Sequence, residues 1–127
     1  MPVSKLPQLV QETRKDLYVS GLKSTIVGHV GDGNFHALIL FYNDDELKKV
    51  GDAVHRLVHR AISLDGTCMS INSPHSCGYK YIGTGEHGVG IGKKEYLLEE
   101  LGEGTIELMR TIKRAVDPSN ILNPGKV

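Results

Sequence analysis

The stretch Ser24-Thr25-Ile26-Val27-Gly28-His29-Val30-Gly31-Asp32-Gly33-Asn34-Phe35-His36-Ala37-Leu38-Ile39-Leu40-Phe41-Tyr42 decides the fold. It holds two β-prone runs, 24–30 and 35–42, on either side of Gly31-Asp32-Gly33-Asn34. An Asp-Gly pair between hydrophobic runs is a strong tight-hairpin signal. With Asp32-Gly33 as a two-residue tip, Val30 faces Phe35 and His29 lies directly across from His36. Opposed residues share a face, with Cβ atoms roughly 4.5–5.5 Å apart, so two imidazoles could converge on one cation. The same pair could equally pack or hydrogen-bond within a half-buried sheet, since two ligands alone do not make a site. Ile26, Phe35, Ile39 and Phe41 fall on one face of this hairpin and Val27, Leu38 and Leu40 on the other. A two-stranded sheet apolar on both sides wants more strands and a covering layer than the chain is expected to supply, which suggests a fragment of a larger domain.

Outward from the hairpin the pattern turns helical. Residues 4–20 carry Leu6, Leu9, Val10, Thr13 and Leu17 at helical spacing, with Ser4 as the expected cap, Pro7 in the first turn and Gly21 just past the end. Residues 44–64 place Leu47, Val50, Val54, Leu57, Val58, Ala61 and Ile62 on one stripe, with Asp44 or Asp45 as the expected N-cap. Residues 65–92 are rich in glycine, serine and histidine and show no helical period. Two helices are expected to close the chain, 93–101 and 103–116, the second with Ile106, Met109, Ile112 and Val116 on one face. Asp117-Pro118 stops it. The element order implies an α+β architecture: a partial ferredoxin-like unit, helix-strand-strand-helix, followed by C-terminal helices.

The 127 residues suit one modest domain or a piece of a larger one. Fifteen basic and fifteen acidic side chains leave no net charge, which disfavours both a nucleic-acid binder and a polybasic membrane-surface protein. No apolar run approaches the ~20 residues of a membrane span. The first residues lack the apolar core of a secretory signal and the Arg-rich character of a transit peptide. Two cysteines do not make a disulfide scaffold.

A second chemical cluster follows at Thr84-Gly85-Glu86-His87-Gly88-Val89-Gly90-Ile91-Gly92-Lys93. It offers what the hairpin lacks, a carboxylate and a separate base. Two histidines and one carboxylate suit a borderline divalent cation with open positions, and His87 would remain free for proton transfer. Gly83 to Gly88 also matches GxGxxG, but Gly90 and Gly92 follow too closely for a dinucleotide-binding helix to open there. His55 and His59, an i, i+4 pair, are expected to be surface histidines. Cys68, His75 and Cys77 match no structural-zinc spacing.

The hairpin motif, Gly85-Glu86-His87-Gly88, Gly92-Lys93 and the terminal Asp117-Pro118…Asn123-Pro124-Gly125-Lys126 resemble the C-terminal part of the FAD-linked oxidases of the vanillyl-alcohol-oxidase type. Within that family they are most similar to the mitochondrial D-lactate dehydrogenase (cytochrome) group, which is related to the D-2-hydroxyglutarate dehydrogenases. The resemblance runs over nearly the whole chain. It implies an FAD-dependent oxidoreductase that takes a D-2-hydroxy acid, D-lactate first, to the 2-oxo acid and hands electrons to cytochrome c or another acceptor. It further implies that His29, His36 and Glu86 bind zinc or manganese, that His87 takes the hydroxyl proton, and that Asn123 approaches FAD. Leu38, on the metal-facing side of its strand by parity, would suit a small substrate. The alternative is a metal-binding or structural fragment without independent catalysis.

Two departures from the family pattern stand out. The FAD-binding domain is expected to be missing, leaving residues 1–127 as part of the cap and substrate domain. The family also runs Gly-Thr-Cys directly into Thr-Gly-Glu-His-Gly, whereas here 15 residues, 69–83 (MSINSPHSCGYKYIG), separate Cys68 from Thr84. They show no regular period and are expected to be an insertion looped out at the surface.

Overall fold

The computed structural model describes residues 1–67, 71–72, 79–83 and 89–126. Among the described residues, helices α1 (Leu6–Val19), α2 (Asp44–Ser63), α3 (Gly90–Lys93) and α4 (Leu97–Val116) accompany strands β1 (Ser24–His29), β2 (Asn34–Leu40), β3 (Ile71–Asn72) and β4 (Tyr79–Gly83). The architecture is α+β, as its element order implies.

Local chemistry explains where the helices begin and end. α1 closes in a Schellman motif: Leu22 N–H donates to the Leu17 carbonyl and Gly21 N–H to that of Tyr18, both at 3.0 Å. Gly21 takes the left-handed conformation (φ 68°) that the motif demands, while Leu17 and Leu22 are both buried. The cap of α2 is Asn43 rather than Asp44 or Asp45. Its side chain accepts from Glu46 N–H at 2.8 Å, and Glu46 in return accepts from Tyr42 N–H at 2.7 Å. Ser4 caps nothing; it lies in a 3-10 turn, Val3–Lys5, ahead of α1. Within α4, Gly102 (φ 75°, ψ 163°) breaks the helical path where the pattern expects it, so the segment is two helices end to end. The first begins at Leu97 rather than Lys93, with Lys94–Tyr96 in a 3-10 turn.

α1 and α2 cover one face of the sheet. Leu6, Leu9 and Leu17 of α1 and Val50, Val54, Leu57, Val58 and Ala61 of α2 pack with Phe35, Ala37 and Ile39 of β2 in a single core. At the rim, Arg56 grips Asp16 through Nε and Nη2 at 2.8–3.1 Å, and Arg60 reaches the same carboxylate at 3.2 Å. The Arg56 guanidinium above all, with Arg60 beside it, holds the Asp16 carboxyl below the usual carboxylate range against an opposing effect of burial.

The sheet is antiparallel in the order β1-β2-β4-β3. Two expectations are corrected here. The hairpin does not lack partner strands, because the chain itself supplies two more. Nor are residues 69–83 looped out as a whole, since 79–83 pairs with β2 from His36↔Gly83 to Leu40↔Tyr79, and 71–72 pairs with β4. The physical reason lies in the open edge of β2, whose backbone donors and acceptors need a partner once α1 and α2 cover its apolar face.

Candidate active site

The hairpin differs from its expected form at the turn. Val30–Asp32 forms a 3-10 turn and Gly33 follows in the left-handed region, φ 66°, so four residues rather than two connect the strands. Val27 therefore pairs with His36, Gly28 with Phe35 and His29 with Asn34. This correction has a steric cause at Gly28. A Cβ there would stand 2.9 Å from the Asn34 carbonyl oxygen and 3.0 Å from Phe35 Cβ, so glycine is the residue that lets the strands close against Phe35. Opposite Phe35, Val30 would have brought a branched side chain into that space.

The two histidines nevertheless share a face. His29 lies two positions along β1 from Val27, the partner of His36, so the pair is diagonal rather than directly opposed. Their ring centroids are 6.0 Å apart and the planes nearly perpendicular, at 87°. The face they occupy points away from the helices: Val27 is 56% exposed and His29 exposed, while His36, Leu38 and Leu40 are half-buried. Leu38 sits on the same face as His36, as parity requires.

Metal chemistry sets a test for such a pair. With metal–nitrogen bonds of about 2.0–2.1 Å, two imidazoles on one tetrahedral ion hold their centroids about 5 Å apart. The observed 6.0 Å is about 1 Å wider than that. Among the described residues, no three His, Cys, Asp or Glu side chains converge on such a point. Glu86 and His87 lie outside the described residues, as do Cys68, His75 and Cys77. The chain does enter that second motif from beside the first, because Gly83 pairs with His36.

Asn123 stands apart from the hairpin, in the tail that follows α4. It is exposed and in left-handed backbone, φ 48°. Asp117 organises this tail. Its carboxylate accepts from Ile121 N–H at 3.0 Å and Leu122 N–H at 2.9 Å, and from the Lys113 ammonium. The Lys113 hydrogen bond, with help from the two amides and against burial, holds this carboxyl below its ordinary value. Lys94 Nζ then donates to the Gly125 carbonyl at 3.0 Å, which ties the tail to the turn after α3. Gly90–Lys93 forms a single helical turn, entered with Gly90 at φ 61°.

The histidines on α2 prove better connected than their spacing suggests. His59 contacts Glu99, 40 residues away, and both His55 and His59 pack on Tyr96. No local pattern could reveal partners at that separation.

Comparison with known proteins adds the family. The pattern of FAD linked oxidases, C-terminal domain, matches residues 1–127. The chain belongs to this family. It is 48% identical over 127 residues to D-lactate dehydrogenase [cytochrome] 1, mitochondrial, of Saccharomyces cerevisiae, covering all of this chain and 19% of that protein. It is 45% identical over 129 residues to a probable D-lactate dehydrogenase, mitochondrial, of Danio rerio, all of this chain and 23% of that one. Glycolate oxidase subunit GlcD of Bacillus subtilis matches at 34% over 129 residues, again all of this chain and 24% of the relative. The chain thus spans about a fifth of the length of the curated relatives it matches. Among the described residues, no helix of this FAD-linked oxidase domain is long and apolar enough to cross a membrane.

Proposed function

We propose that this chain is the metal- and substrate-holding part of an FAD-dependent dehydrogenase that oxidises D-lactate, or a closely related D-2-hydroxy acid, to the 2-oxo acid. The observation that carries the proposal is the imidazole pair, His29 and His36, on the sheet face that the helices leave uncovered. Glu86 is the proposed third ligand, for zinc or manganese. It lies three positions after Gly83, a tether of at most about 11 Å, and Gly83 is paired with His36.

In this scheme His29, His36 and Glu86 would hold the cation, leaving its open positions for the substrate's carboxylate and hydroxyl. His87 takes the hydroxyl proton, and Leu38 offers an apolar wall beside them that suits a small substrate. A divalent cation bound there would act as Lewis acid and template, lowering the hydroxyl pKa. FAD would accept the hydride. Asn123, an exposed amide on a tail held by Asp117 and Lys94, is the residue of this chain proposed to approach it. The apolar stripe of α4 supports a larger assembly. Ile106 is buried at its start, but Ile112 and Val116 are 55% and 72% exposed, a surface for the rest of the flavoprotein to cover. Cytochrome c or another acceptor would receive the electrons, and a mitochondrial location follows from the names of the relatives. Residues 69–83 are proposed as an insertion of which 71–72 and 79–83 have been recruited into the sheet beside β2.

Replacement of His36 tests the scheme in a full-length flavoprotein carrying this chain. His36→Ala should lower the metal retained after dialysis and cut D-lactate turnover by more than the 10–100-fold typical of an outer-sphere ligand, with flavin content unchanged. Undiminished metal and turnover would sink the assignment. Loss of metal from a protein whose parent shows no flavin-dependent turnover would favour a metal-binding fragment without catalysis. Comparing turnover of D-lactate with that of D-2-hydroxyglutarate tests the role of Leu38.

A further inference from the structure

Away from the hairpin, α2 carries two histidines one helical turn apart. The ring centroids of His55 and His59 are 4.4 Å apart, with the planes tilted by 47°. Tyr96, in the turn before α4, meets both rings edge-on at 5.4 and 5.7 Å and is itself only 8% exposed. Glu99 of α4 places Oε1 2.8 Å from His59 Nδ1.

We propose that His55 and His59 form a second metal site, an exchangeable chelate for a borderline divalent cation such as Ni²⁺, Cu²⁺ or Zn²⁺. The spacing i, i+4 puts both rings on one side of the helix, the arrangement by which two helical histidines grip one ion. Two imidazoles bound at right angles to one ion, with bonds of about 2.0–2.1 Å, hold their centroids about 4.5 Å apart. The observed separation already matches this. Glu99 does not complete the sphere; it stands behind His59. An Nδ1–H donating to that carboxylate leaves Nε2 as the ligating nitrogen and raises its basicity. Tyr96 restricts both rings, so less rotamer freedom is lost when the ion binds.

The site's limits follow from the same geometry. Two protein ligands leave the other positions to water, and His59 is 41% exposed, so the ion enters and leaves freely. Nickel and copper should bind more tightly than manganese, in the usual order for nitrogen ligands. Metal counts on this protein would then include a loosely held ion in addition to any held at the hairpin.

The test begins by removing the hairpin histidines, His29→Ala with His36→Ala, so that the outcome there has no bearing on the outcome on α2. Ni²⁺ is then titrated while the imidazole resonances are followed by NMR. The resonances of His55 and His59 should broaden together before one equivalent is added. Adding His55→Ala or His59→Ala should weaken Ni²⁺ binding at this position more than ten-fold, and Glu99→Gln about ten-fold. Broadening of only one of the two rings would overturn the proposal, as would single-histidine variants that bind Ni²⁺ as tightly as their parent.

Discussion

Gly33 and Gly31 lie two residues apart in the same turn, and the structure assigns alanine opposite effects at the two positions. Gly33 stands at φ 66°, and a Cβ on it would fall 2.2 Å from the Met1 carbonyl oxygen and 3.5 Å from Val3 Cγ2. The left-handed backbone alone costs an alanine about 1 kcal/mol or more. Relieving the contact means moving Met1, whose ammonium donates to the Gly33 carbonyl at 3.3 Å, and losing that bond adds about 1 kcal/mol. Gly33→Ala should therefore destabilise the chain by about 2–3 kcal/mol. Gly31 has no atom within 4 Å of its virtual Cβ and no positive φ. There, alanine restricts the unfolded chain and should stabilise by about 0.4–1 kcal/mol. In urea, with a slope of about 2 kcal/mol/M, the midpoint should fall by about 1 M for the first variant and rise by a few tenths for the second. Equal shifts for the two, or a neutral Gly33→Ala, would refute both the four-residue turn and the register that follows from it.

Two further outcomes concern the acid limb of stability. Asp16→Ala leaves Arg56 and Arg60 facing a vacated site and should cost about 1–2 kcal/mol at neutral pH, a charged hydrogen-bond value discounted for partial exposure. Because pairing lowers the folded pKa of Asp16, its contribution is fully present above the unfolded value of about 3.9 and fades as pH falls through the lower folded value. The difference between wild type and variant should shrink over that window in acid-unfolding curves; a constant difference would contradict the pairing. Asp117 has the same sign, again with a lowered folded pKa. Its readout is local: the amides of Ile121 and Leu122 should lose hydrogen-exchange protection in Asp117→Asn, and in wild type as pH falls below the ordinary carboxylate range. Unchanged protection in the variant would show that something else pins the tail.

Much of the fold was legible because its signals are local. Helical period places α1 and α2 within a residue or two of their observed ends, and Gly21, Gly102 and Asp117-Pro118 mark boundaries through backbone chemistry that acts where the residue sits. The α2 cap shows the limit of that reasoning. Asn43 and the two aspartates after it are all good caps, and the choice turns on Glu46 reaching back to Tyr42. β3 was not legible, because residues 69–83 as a whole carry no strand period; Tyr79 to Ile82 could pass for a strand, but nothing local named its partner. Their pairing answers a demand made by β2, and an edge that needs partners leaves no mark on the segment that supplies them. The grouping of His55, His59, Tyr96 and Glu99 was hidden for a similar reason: its halves lie some 40 residues apart.

The hairpin shows which kind of error a site can survive. Moving from the expected two-residue tip to the observed four-residue turn shifts each residue's partner by two positions, so His36 loses His29 as its direct opposite and gains Val27. Side chains alternate with a period of two, so an even shift preserves every residue's face and an odd one reverses it. His29, His36 and Leu38 therefore remain together, while Phe35, Ala37 and Ile39 stay in the core. An odd shift would have put His29 and His36 on opposite faces, turning either Phe35, Ala37 and Ile39 to solvent with His36 beneath the helices or His29 alone beneath them, at a burial penalty no local contact could offset. The apolar face of β2 thus excludes every register that would separate the histidines from the open side of the sheet. What remains adjustable is their spacing, set by the steric demand of Gly28 against Phe35. Gly28→Ala should accordingly change the separation of the two rings without changing the face they occupy.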